Sequence, residues 1–166
     1  MRKKVIVLSS AISLAVAGVA VGTGLASAGH ENTVLETTLD GRSEVATGAK
    51  SKKLVGDPNG SGEAYVFGID GDATTLCYVL TVEGLSGASA AHIHEGAAGT
   101  NGPVVVNLAA PADGNAADCL TEGEAGKFVG DQTVADILAN PSDYYVNVHN
   151  SEFPGGAIRG QLAPQD

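Results

Sequence analysis

Basic side chains are scarce in this chain. Nine Lys and Arg stand against nineteen Asp and Glu, giving a net charge of −10. Binding to a phosphate backbone needs a basic surface, so nucleic acid is excluded as a partner, and anionic membranes are disfavoured for the same reason. Cysteine is nearly absent. Cys77 and Cys119 are the only two, and neither has the C-x-x-C neighbour that thiolate zinc sites use. The usual marks of catalysis are missing too: no G-x-S-x-G elbow, and no G-x-G-x-x-G or P-loop pattern after a strand. The carboxylates are scattered, which fits solubility better than paired acid–base chemistry. On these absences the chain reads as a non-enzyme.

A long apolar run occurs once, at the start. It extends from Val5 to about Leu25, after Arg2, Lys3 and Lys4 and before the small-residue stretch Ala26-Ser27-Ala28. That order is a secretory signal peptide over 1–28, cut after Ala28. No cysteine follows the cut to carry a lipid, and the C-terminus offers no second apolar span. The expected product is secreted, with no membrane attachment after cleavage. Losing three basic residues and no acidic one takes its net charge from −10 to −13. An even cysteine count in an exported chain suggests a Cys77–Cys119 disulfide. Closing so long a loop is worth roughly 2–4 kcal/mol. Use of the two cysteines as metal thiolates is the weaker alternative.

What the chain has in abundance is glycine, 23 residues of it, between short runs rich in valine and threonine. Such runs bounded by Gly, Asn, Asp and Pro read as many short strands joined by turns. Strands are expected at Thr33–Leu39, Glu63–Ile69, Thr74–Val82, Ala90–His94, Pro103–Leu108, Tyr144–His149 and Ala157–Leu162. Hairpins are expected at Asp70-Gly71-Asp72 and Phe153-Pro154-Gly155-Gly156. Val134, Ile137 and Leu138 have helical spacing, with Asp131 or Thr133 as N-cap and Asn140-Pro141 as the stop. Ala109–Gly126 reads as a polar loop or excursion. The fold class is therefore all-β, an antiparallel sandwich or flattened barrel with one short helix. One domain is expected over 33–163, after a flexible lead over 29–32 and before a tail over 164–166.

The chemistry-bearing residues are histidines. In Ala91-His92-Ile93-His94 the alternation of strand side chains puts Ala91 and Ile93 on one face, His92 and His94 on the other. In Tyr145-Val146-Asn147-Val148-His149 the same parity sets Val146 and Val148 toward the core and groups Tyr145, Asn147 and His149 opposite. If the strands are neighbours, His92, His94 and His149 converge. Neutral imidazole suits copper or zinc, and three such ligands leave an open position. The plainer alternative is that these histidines brace loops by hydrogen bonding. Asn147 is expected to orient ligands or bond a loop rather than ligate. Asp57-Pro58-Asn59-Gly60-Ser61-Gly62 resembles the opening of a calcium loop, but Gly68 falls where the closing glutamate belongs, so a plain turn is expected.

The string from Ala91 to Val106, AHIHEGAAGTNGPVVV, resembles the CHRD domain, named for its occurrence in chordin. So do Tyr145-Val146-Asn147-Val148-His149-Asn150 and Pro154-Gly155-Gly156-Ala157-Ile158-Arg159-Gly160-Gln161-Leu162. Weaker matches lie at Leu39–Val45 and Gly62–Ala64. Ala46 replaces a usual proline, and Glu95-Gly96 a common Gly-Pro. The resemblance implies an immunoglobulin-like fold similar to that of copper/zinc superoxide dismutases. There, an H-x-H strand and a later strand histidine hold copper, and His92, His94 and His149 match those positions. Copper is thus the implied cofactor, and Arg159 resembles an anion-guiding arginine, though it could equally pair with an acidic loop residue. A bridging histidine and a zinc cluster are missing, and His30 is a poor substitute, so dismutase activity is not expected. The expected role is an extracellular binding module whose partner is a metal ion or another extracellular protein.

Overall fold

The computed structural model describes residues 33–47 and 55–166. The expected signal peptide, the lead and His30 lie outside the described residues. Among the described residues nine strands form, in chain order: β1 (Val34–Asp40), β2 (Ser61–Ile69), β3 (Asp72–Glu83), β4 (Ala88–Glu95), β5 (Val104–Leu108), β6 (Asn115–Thr121), β7 (Tyr144–Asn150), β8 (Ile158–Gln161) and β9 (Ala163–Pro164). They pair antiparallel in the spatial order β5-β4-β7-β8-β1-β2-β3-β6, with β9 beside β1. The sheet curls into a nearly closed barrel.

Alternation explains the closure. Ala91 and Ile93 of β4, Val146 and Val148 of β7, Leu76 and Leu80 of β3, and Val66 of β2 are fully buried inside. Each large aliphatic side chain buried this way stabilises by about 1.5–3 kcal/mol. A one-residue slip of β4 would bring Ile93 out and drive His92 and His94 in, so the core itself fixes the face that the histidines occupy. The β2–β3 hairpin turns at Asp70-Gly71, where Ile69 pairs with Asp72 and Gly71 takes φ +80°. Helix α1 (Val134–Ala139) plugs the interior with Val134, Ile137 and Leu138. Its N-cap is Thr133, closed by a reciprocal capping box with Asp136.

The 109–126 segment departs from the expected loop. Asn115–Thr121 is β6, an edge strand in register with β3 from Thr75–Thr121 to Thr81–Asn115. Its Ala-Ala-Asp centre has weak strand propensity and only Leu120 enters the core, so the pairing with β3 decides its structure. Cys77 and Cys119 face each other across that pair and are bonded, 4.0 Å apart at Cα. The C-terminus also stays on the barrel beyond 163: Pro164 pairs with Leu35, and Gln165 N–H donates to the Val34 carbonyl. At the calcium-like stretch, Asp57 Oδ1 accepts from the Asn59 and Gly60 amides and closes a plain turn.

Candidate metal centre

β4 and β7 are direct neighbours, with Ala90 opposite His149, His92 opposite Asn147 and His94 opposite Tyr145. The outward faces of the two strands therefore merge, and His92, His94 and His149 meet on them. One nitrogen from each ring can be chosen so that all three lie within 4.8 Å of one another. All three side chains are half-buried.

Hydrogen bonding identifies the nitrogens. His94 Nδ1 is 2.9 Å from the Gly102 carbonyl, and His149 Nδ1 is 3.1 Å from the Pro154 carbonyl. A carbonyl only accepts, so both rings carry their proton on Nδ1 and present the Nε2 lone pair. His94 Nε2 is buried and has no hydrogen-bond partner. His149 Nε2 lies 3.1 Å from His92 Nδ1, the one direct bond inside the cluster. His149 Nε2 therefore accepts the His92 Nδ1 proton, and a metal held at these two atoms would require that proton to move to His92 Nε2.

Their electrostatics suit ligation. Burial pushes the His92 pKa down from 6.5 to about 4, with help from the neighbouring His149 and His94. Burial also lowers His94 and His149, partly offset by the Gly102 and Pro154 carbonyls. The three imidazoles are neutral near pH 7, the state a metal requires. Nitrogens held about 2 Å from one ion lie roughly 3–4 Å apart. The 3.1 Å His92–His149 spacing already falls in that range. A largest separation of 4.8 Å needs only about 1 Å of ring movement. The donor set therefore fits a borderline metal such as copper or zinc.

Two glycines shape the surroundings. A Cβ on Gly102 would lie 1.6 Å from the Glu95 carbonyl oxygen, so only glycine lets the 96–102 loop pinch shut and aim its carbonyl at His94. Gly156, at φ +135°, faces the Glu44 carboxylate, which a Cβ would meet at 2.5 Å. Glu44 accepts a hydrogen bond from Asn147 Nδ2, which also donates to the Ile158 carbonyl. Asn147 thus ties the chain around residue 44 to β7. The His94 and His149 rings are oriented by main-chain carbonyls instead.

Arg159 sits on β8 opposite Asn147 and is 2% exposed. Its guanidinium lies 3.4 Å over the Tyr145 ring and donates to Asn101 Oδ1 and, at 3.5 Å, to the Ala97 carbonyl. Glu44 is close enough to attract it. The sequence grouped Tyr145 with His149 by parity but assigned it no role. Glu44 lay within the weaker family match at Leu39–Val45 but was given no role, because its partner Asn147 is remote in sequence.

The family model of the CHRD domain matches residues 35–162. Among curated proteins none matches the sequence. The chain belongs to the CHRD-domain family.

Proposed function

We propose that this CHRD-domain protein is an exported, non-enzymatic binding module with copper held by His92 Nδ1, His94 Nε2 and His149 Nε2. The observation that carries the reading is the buried, partnerless Nε2 of His94, on a ring grouped with two other imidazoles. Among divalent first-row metals, copper binds nitrogen sites most tightly. When bound, it would supply a Lewis-acidic centre with an open coordination position. The protein's own part is to keep the three rings neutral, fix two tautomers through Gly102 and Pro154, and limit access of water. Export is supported by the N-terminal sequence and by a disulfide, which persists in oxidising compartments. Dismutase turnover is not proposed, because the cluster holds three histidines and the chain has only one other, His30.

Calorimetric titration with copper is the direct test. One equivalent should bind tightly to the wild type and weakly to His92→Ala and His149→Ala. Equal weak uptake by all three proteins would sink the reading. A second reading rests on the His92–His149 hydrogen bond, which joins two of the rings without an ion. It makes the histidines scaffold only, and predicts partner binding and melting temperature indifferent to metal.

A further inference from the structure

We infer that Tyr145 is the positioning residue of the site, setting the ring plane and tautomer of His94. The inference rests on the three-histidine reading above. Tyr145 stands directly opposite His94 in the β4–β7 pair. The two rings stack with centroids 4.8 Å apart and planes 9° from parallel. The Tyr145 hydroxyl accepts the Gly102 amide at 3.2 Å, and the carbonyl of that same residue takes the His94 Nδ1 proton at 2.9 Å. A closed circuit results: ring on ring, hydroxyl to amide, carbonyl back to imidazole.

Tyr145 is itself unable to turn. It is 3% exposed, and the Arg159 guanidinium lies 3.4 Å over its ring. One ring face has no room for both a stacked imidazole and a guanidinium, so Tyr145 is the middle layer of a His94–Tyr145–Arg159 stack. Asn101 and the Ala97 carbonyl fix the guanidinium from the 96–102 loop, which also supplies Gly102. His94 is thereby held at its ring face and at Nδ1, and its free Nε2 can point only one way. His92 has no comparable brace: its bond inside the cluster is to His149. Groups behind a metal ligand that fix its tautomer and orientation typically govern affinity by about 10–100-fold.

Tyr145→Phe and Tyr145→Leu separate the two halves of the circuit, with His94→Ala as the ligand-loss control. In the metal-free proteins, nitrogen-15 NMR reads the His94 tautomer. In the copper-loaded proteins, chelator competition reads affinity and EPR reads the ligand field. Tyr145→Phe keeps the stack but releases Gly102, and should weaken copper by about threefold to tenfold. Tyr145→Leu removes both, and should mix the His94 tautomers, weaken copper by about 10–100-fold and change the EPR spectrum. A folded Tyr145→Leu protein with the wild-type tautomer, and copper affinity within about twofold, would overturn the inference. If Tyr145→Leu does not fold, an unchanged affinity and an unchanged His94 tautomer in Tyr145→Phe overturn it. If wild-type protein takes up no copper, the function proposed above fails, and the tautomer measurement alone decides this one.

Discussion

Glu44→Gln should stabilise the protein as pH rises above about 4.5, with nearly all of the gain reached by about pH 7. Glu44 lies half-buried, with Asn147 donating to its carboxylate and Arg159 attracting it. Burial outweighs both and pushes its pKa up from 4.5 to about 7. A carboxyl whose folded pKa lies above its unfolded one favours the fold while protonated. Its contribution is therefore present below about pH 4.5 and is lost as pH rises through about 7. The gap corresponds nominally to roughly 3 kcal/mol, which partial exposure to water reduces to about 1–2 kcal/mol. Glutamine keeps an oxygen for Asn147 and removes the charge. Urea unfolding should show the variant about 1–2 kcal/mol more stable at about pH 8.5, and within about 0.5 kcal/mol of wild type at about pH 5, with the denaturant slope unchanged. If the variant loses stability at the higher pH, attraction to Arg159 exceeds the cost of burial and the reasoning is wrong.

The histidines should slope the other way. Their folded pKa values lie below 6.5, so stability is full above that pH and is lost as pH falls toward about 4, the folded value of His92. His92→Gln should flatten that acid loss by about 1–2 kcal/mol in metal-free melts, and an unchanged slope would show that the ring is not desolvated. The two slopes overlap between about pH 4.5 and 6.5, so Glu44→Gln should make the acid loss steeper than in wild type. Replacing both cysteines by alanine removes a cross-link between positions 42 apart and should lower stability by about 4 kcal/mol in the chain-entropy treatment. A loss of under about 1 kcal/mol, taken from the urea midpoint and slope, would show that β6 is held by its strand pairing alone.

The strands that carry the site were legible because their information is local. Ala91-Ile93 and Val146-Val148 state their faces by alternation, and from that the outward direction of His92, His94 and His149 follows. α1 was legible for the same reason, at period 3.6 rather than 2. β6 was not, because an edge strand with one core residue writes almost no pattern and takes its form from β3. The supports of the site were hidden for a different reason. Gly102 and Pro154 act through their carbonyls, which no side-chain pattern records, and Glu44 reaches Asn147 only after the barrel closes.

Two buried side-chain atoms among the described residues have no hydrogen-bond partner, His94 Nε2 and Gln161 Oε1. Such an atom costs about 1–3 kcal/mol, a large share of a small domain's stability, so each calls for a cause. Gln161 has one in its own amide nitrogen, whose two protons are shared among the Gly96, Ser142 and Tyr144 carbonyls and tie the 96–102 loop to the 142–144 stretch. His94 has no such compensation. Its proton is committed to Gly102, its ring is clamped against Tyr145, and the clamping keeps Nε2 from turning toward water. A fold selected only for stability would place an apolar residue there or let the ring rotate. On the copper reading proposed above, a lone pair fixed beside two other neutral imidazoles would recover that cost when the cation binds, and local sacrifices of this kind concentrate at functional sites.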